Sequence, residues 1–261
     1  MAESLEFSIK DEEYVRIPLS DGRHAAYGML RGGWSKPLIV LVHGMNGSGS
    51  SILQWLGAKY FAEKSYATLR INLYGDERDA RDIVDCNLQV QADDFDTIIK
   101  FIRSQKPPKI FAEGHSYGGL TILKSSAQLD AAALWDPSHV GLNIITREDK
   151  EIDYKEIVSV ELKLRIGKKG KGYIQPLLFE QEQTQLRDTT NLAAKNYPLL
   201  FVAAGNGSLV PYVERYFKTS NKPKKLVSIE GATHNFIDTD SVTYKLFDAT
   251  LNWFNEYKEA G

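Results

Sequence analysis

A single cysteine, Cys86, stands in 261 residues. The chain can therefore close no internal disulfide and offers no cysteine cluster to a metal. No apolar run approaches the roughly 20 residues that a membrane-crossing helix requires. The opening residues, MAESLEFSIKDEEY, lack the basic-then-apolar order of a signal peptide. An excess of one charge is missing too. The 32 Lys and Arg nearly balance the 34 Asp and Glu, leaving a net charge of −2. No global field draws such a protein to nucleic acid or to an anionic membrane. These absences point to a cytoplasmic protein without nucleic acid partners or membrane insertion. What remains is an ordinary globular composition, 43% hydrophobic and 25% charged, long enough for one large domain or a domain carrying an insertion.

Apolar runs alternate with helical patterns along the chain. PLIVLVHG (37–44), YATLRINL (66–73), KIFAEGHS (109–116) and AAALWD (131–136) are short, rich in apolar residues and bounded by turn formers, as buried strands are. Between them, SSILQWLGAKYFAEKS (50–65) spaces Ile52, Trp55, Leu56, Tyr60 and Phe61 along one helical face, behind serines able to cap it. NLQVQADDFDTIIKFIRSQ (87–105) is a second amphipathic helix, ended by Pro107 and Pro108. YGGLTILKSSAQL (117–129) reads as a third. The rhythm lapses between residues 137 and 196. There, EIVSVELKLRI and GYIQPLLF flank a Gly- and Lys-rich stretch like the arms of a hairpin. It resumes with a strand in YPLLFVAAG, a helix in VPYVERYFKTS, a strand in KKLVSIEG and a helix in SVTYKLFDATLNWFNEY. Ahead of all these, YVRIPLSDGRHAAYGMLRG reads as an antiparallel hairpin turned at Asp21-Gly22. The expected fold is α/β: a mostly parallel, doubly wound sheet. Its core comprises residues 1–136 and 197–261, with 137–196 inserted as a small cap.

One stretch carries chemistry. Gly114-His115-Ser116-Tyr117-Gly118 fits G-x-S-x-G between a strand and a helix. Such a turn is too tight for side chains at its two glycine positions, and it lifts the serine hydroxyl clear of the sheet. The helix that follows aims its positive end at the same spot, so the Tyr117 N–H can meet a developing oxyanion. LVHGMNGSGSS (41–51) follows a neighbouring strand and can bring a second N–H, that of Met45, to the same oxyanion. EGATHNF (230–236) sets His234 in the loop after the last strand, from which an imidazole can reach Ser116 as a base. The other histidines are His24 in the hairpin, the motif neighbours His43 and His115, and His139 at the opening of the insertion.

With HG at 43–44, GHSYGG at 114–119 and GATHNF at 231–236, the chain resembles the α/β-hydrolases. The insertion is similar to that of small serine esterases, among them cinnamoyl and feruloyl esterases and monoacylglycerol-lipase-like enzymes. The resemblance implies ester hydrolysis through an acyl-enzyme on Ser116, with no cofactor or metal. A thioesterase or acyl transferase would carry the same motifs. It also implies an acid to orient His234, ordinarily in a segment like G-x-x-D-x-x-V-P. This chain reads AAGNGSLVP there, with Asn206, Gly207 and Ser208 where an acid is expected. Three possibilities follow. Asp136, at the tip of the strand after the serine's unit, supplies the carboxylate. Asn206 orients the histidine as a neutral partner. Or the triad is incomplete, as in a ligand-binding homologue or an altered site. Within the insertion, Tyr173, Ile174, Leu177, Leu178 and Phe179 are candidates for an apolar wall. Lys163, Arg165, Lys168, Lys169 and Lys171 form a basic tip that suits either solvation or an anionic substrate.

Overall fold

The computed structural model describes residues 11–138, 157–159, 164–166, 174–176, 178, 182 and 189–259. The strands of the main sheet are β1 (Glu12–Pro18), β2 (Ala25–Arg31), β3 (Leu38–Val42), β4 (Ala67–Asn72), β5 (Ile110–His115), β6 (Ala131–Trp135), β10 (Leu199–Ala204) and β11 (Lys224–Ile229). They lie in the order β1-β2-β4-β3-β5-β6-β10-β11. The β1–β2 hairpin is antiparallel and joins β4 antiparallel; every pairing from β4 to β11 is parallel. The helices are α1 (Ile52–Glu63), α2 (Leu88–Ser104), α3 (Tyr117–Lys124), α4 (Val210–Thr219) and α5 (Asp240–Lys258).

Both faces of the sheet are covered, which is why its central strands are apolar without alternation. In β3, Leu38, Val40 and Val42 enter the core under α2, α3 and α4, with Phe95, Leu120 and Val213. Ile39 and Leu41 enter the core under α1 and α5, with Phe61, Leu246 and Phe254. From β3 the chain steps one way to β4 and thereafter the other way through β5 and β6. A sheet that reverses its strand order opens a crevice at the carboxyl ends of the strands on either side. The loops after β3 and β5 border that crevice.

Three local readings of the sequence are corrected. The buried stripe of α1 is Leu53, Gln54, Gly57, Ala58 and Phe61, one position round from the face expected, and Ile52 is 58% exposed. Tertiary packing sets this face: Gly57 lies against Phe247 of α5, where a Cβ would stand 3.3 Å from the ring. Ser51 takes the N-cap position, but its hydroxyl accepts the Ser48 N–H at 3.0 Å and caps nothing in the helix. Helix α3 stops at Lys124 instead of running on to residue 129. Asp96 of α2 causes the stop. Its carboxylate accepts the Ser125 and Ser126 hydroxyls and the Ser126 and Ala127 N–H groups, drawing the chain out of helical register.

Three short strands, β7 (Ile157–Ser159), β8 (Leu164–Ile166) and β9 (Ile174–Pro176), form a separate antiparallel sheet. The β8–β9 pair brackets the Gly- and Lys-rich stretch as a hairpin does. Ala193 and Tyr197 are buried in the core beside α3 and α4, so the chain rejoins the core before residue 197. His139, Lys163, Lys168, Lys169, Lys171, Tyr173, Leu177 and Phe179 lie outside the described residues, as do the side chains of Arg165 and Ile174.

Candidate active site

Ser116 sits at the junction of β5 and α3 with φ 54° and ψ −118°, a region that non-glycine residues enter only under constraint. The constraint is steric. A Cβ on Gly114 would stand 2.7 Å from the Gly118 carbonyl, and one on Gly118 would stand 2.4 Å from Val42 O. With glycine at both positions the strand reverses into the helix at one residue. The Ser116 N–H is tied to Trp135 O at 2.8 Å.

The loop after β11 carries His234 to this turn. Thr233 anchors that loop, giving its N–H and its hydroxyl to the Asp238 carboxylate at 2.8 and 2.7 Å. These bonds hold the Asp238 pKa below the usual carboxylate range. Asp238 thus shapes the loop that carries His234. The Ser116 hydroxyl donates to His234 Nε2 at 2.9 Å. On the far side of the ring, His234 Nδ1–H donates to Asp136 Oδ2 at 2.7 Å. Asp136 is fully buried at the carboxyl end of β6, with φ 48°. Its other oxygen accepts the Ala204 N–H of β10 at 3.2 Å, which fixes the plane of the carboxylate.

The vacancy in the G-x-x-D segment now has a geometric counterpart. A Cβ on Gly207 would lie 3.8 Å from Asp136 Oδ2. Residues 136 and 207 therefore flank the same point from adjacent strands, β6 and β10. Carboxylates at both would repel each other. Asn206 is exposed; its backbone N–H bonds Ala232 O at 2.9 Å, and no hydrogen bond joins its side chain to His234 among the described residues.

Met45 lies in the loop after β3 and lines a cavity of about 260 Å³ with Ser116, His234, His43, Gln54 and Ile237. Tyr117 is the first residue of α3, with its N–H at the helix N-terminus beside Ser116. Two histidines that the sequence marked only as motif neighbours hold these loops. His43 is buried; its Nδ1–H donates to Gly44 O at 2.8 Å and its Nε2 accepts the Leu73 N–H at 3.3 Å, so it pins the loop after β3 to the end of β4. Burial lowers its pKa to about 4. His115 donates Nε2–H to the His234 carbonyl at 2.7 Å, and the two rings lie 4.8 Å apart. Burial, followed by the neighbouring His234, lowers the His115 pKa to about 3. Both side chains stay neutral at pH 7, which preserves these bonds. Their bridging is invisible in the sequence because the Leu73 N–H and the His234 carbonyl lie far along the chain.

A mostly parallel sheet wrapped by helices, with a serine on a strained strand-to-helix turn and a histidine from the last strand's loop, defines the α/β-hydrolase class. The sequence profile of the Alpha/beta hydrolase family matches residues 39–241, and the chain belongs to that family. Among curated proteins, none matches the sequence. Solved structures share the fold at low identity. Est1E from Butyrivibrio proteoclasticus, with ferulic acid bound, is 19% identical over 93% of this chain and 99% of its own, with a TM-score of 0.69. The esterase domain of a Rhodothermus marinus protein is 16% identical over 94% of this chain and 98% of its own, at 0.68. DcsB in complex with its substrate analogue is 17% identical over 96% of this chain and 100% of its own, at 0.73.

Proposed function

We propose that the protein is a serine hydrolase that cleaves carboxylic esters of small molecules through an acyl-enzyme on Ser116. The observation that carries this reading is the unbroken line from the Ser116 hydroxyl through His234 to the buried Asp136 carboxylate, at 2.9 and 2.7 Å. The esterase domain from Rhodothermus marinus among its structural relatives agrees with it. So does a cavity of about 260 Å³ opening on Ser116, small enough for a compact ester.

In the first half-reaction His234 Nε2 takes the Ser116 proton as Oγ attacks the ester carbonyl. Asp136 stabilises the imidazolium and holds the ring so that Nε2, not Nδ1, faces the serine. The carbonyl oxygen becomes an oxyanion and is received by the N–H groups of Met45 and Tyr117. Donors of this kind are each worth about 3–4 kcal/mol in other hydrolases. The tetrahedral intermediate collapses, the imidazolium protonates the departing alkoxide, and the alcohol leaves. Water then attacks the acyl-enzyme, giving its proton to His234, and the acid is released as Ser116 regains its hydrogen. Cys86 is buried and its thiol is pushed up to about 12 by burial, in keeping with a structural thiol.

Turnover of p-nitrophenyl acetate and butyrate by Ser116→Ala tests the reading. Loss of activity to the level of the uncatalysed reaction is expected. Wild-type turnover in that variant refutes the mechanism.

A further inference from the structure

Glu113 lies on β5, three residues before Ser116, and is 0% exposed. Its register partners are Leu41 of β3 and Ala133 of β6, both in the core under α1 and α5. Among the described residues no ion pair includes it. Burial pushes its carboxyl pKa well above the ordinary value, and an isolated charge in such a place is prohibitively costly. Burial therefore favours the protonated acid over the carboxylate.

The side chain of Gln54 of α1, 1% exposed, is the polar group that acts on Glu113, lowering its pKa against the larger rise from burial. Neither Glu113 oxygen has a hydrogen-bond partner among the described residues, and Gln54 Oε1 has none either. A carboxylate offers an amide oxygen only repulsion, whereas a carboxylic acid offers it a proton. One O–H···Oε1 bond thus pairs one Glu113 oxygen with Gln54 Oε1.

The far end of Gln54 reaches the catalytic loops. Its Nε2 approaches Val42 O at 3.5 Å. Val42 ends β3 and leads directly into His43, Gly44 and Met45. The same carbonyl is the atom that forbids a side chain on Gly118, so it touches the nucleophile turn as well. Gln54 also lines the cavity at Ser116.

We propose that Glu113, as a neutral acid, and Gln54 form a buried hydrogen-bonded pair that positions the loop after β3, and with it the Met45 N–H, against Ser116. The pair acts through Val42; its catalytic consequence rests on Ser116 being the nucleophile. A misplaced oxyanion donor costs transition-state binding more than ground-state binding.

The test compares Glu113→Leu, Glu113→Gln and Gln54→Leu. Complete removal of one oxyanion donor costs about 10²–10³ in turnover, and a displaced donor costs less. Glu113→Leu is expected to lower kcat for p-nitrophenyl butyrate about 10- to 100-fold. KM should stay unchanged, and Tm is expected to fall modestly, because Gln54 Oε1 is left buried without its donor. Glu113→Gln keeps a neutral donor and is expected to restore most of kcat. Gln54→Leu removes the same bond from the helix side and is expected to match Glu113→Leu. Wild-type kcat in either leucine variant overturns the pair. Amide hydrogen exchange at residues 43–47 reads the loop without turnover: faster exchange in the leucine variants supports the pair, and equal protection refutes it. A wild type that fails to acylate at Ser116 removes the proposed function, while the exchange comparison still decides the role of the pair in holding the loop.

Discussion

Asp136→Asn exchanges one carboxylate oxygen for an amide nitrogen at nearly constant volume, and the neighbouring strand dictates the outcome. Asp136 Oδ1 accepts the Ala204 N–H at 3.2 Å. In the variant the amide oxygen takes that place, because the amide nitrogen there would set donor against donor. The nitrogen then faces His234 Nδ1, where Oδ2 stands at 2.7 Å in the wild type. Facing a donor, the imidazole moves its proton to Nε2. That nitrogen can no longer accept the Ser116 proton across the 2.9 Å bond. The same exchange in a serine protease of unrelated fold lowered turnover about 10⁴-fold, which is about 5.4 kcal/mol at 1.36 kcal/mol per tenfold. A loss of that order in kcat/KM for p-nitrophenyl butyrate is expected, alongside retained folding by circular dichroism. Asn206→Ala, measured in parallel, is expected to change little, since that side chain is exposed and makes no bond to the ring. A loss under tenfold for Asp136→Asn, or a larger loss for Asn206→Ala, refutes the assignment of Asp136.

Three further outcomes follow from the same coordinates. Gly118→Ala pushes a methyl to 2.4 Å from Val42 O and 2.5 Å from His43 O; both contacts are backbone and cannot yield, so a stability loss above about 3 kcal/mol is expected in urea titration, and an unchanged midpoint contradicts the packing. Adding Gly207→Asp to Asp136→Asn offers His234 a carboxylate from β10 in place of the lost one, and turnover is expected to rise at least about tenfold over Asp136→Asn alone; no gain means that the two positions are not equivalent. The pH dependence of stability carries two opposite slopes. Glu113 binds its proton more tightly folded than unfolded, so it withdraws stability as pH rises from the ordinary carboxyl range towards its raised folded value, and Glu113→Gln is expected to flatten the decline on the alkaline side. His43 and His115 bind protons less tightly folded, near 4 and 3. Their stabilisation is present above about 6.5 and is lost as pH falls. Thermal melts from pH 4 to 9 read both.

Much of the architecture is written in short-range pattern. The β-branched runs, the Asp21-Gly22 turn and the proline stop after α2 are local signals, and each has its element in the structure. The features that escaped are those decided by distant partners. Which stripe of α1 is buried depends on where Phe247 presents its ring. Where α3 ends depends on Asp96, some thirty residues earlier in the chain. Around the serine, the glycine spacing carries its own steric reason, so the turn was legible. Asp136 was not distinguishable from a turn aspartate by spacing alone. Its environment, fully buried and bonded to Ala204 N–H and His234, exists only once β6 and β10 lie side by side. Glu113 is a starker case, since a lone glutamate inside an apolar strand gives no sign that it keeps its proton.

The most direct measurement is the mass of the protein quenched during turnover of p-nitrophenyl acetate, followed by peptide mapping. An acetyl group on Ser116 is predicted in the wild type, formed at a rate that collapses in His234→Ala. An acetyl group on another residue, or equal acylation of Ser116 without the imidazole, contradicts a nucleophile activated by His234.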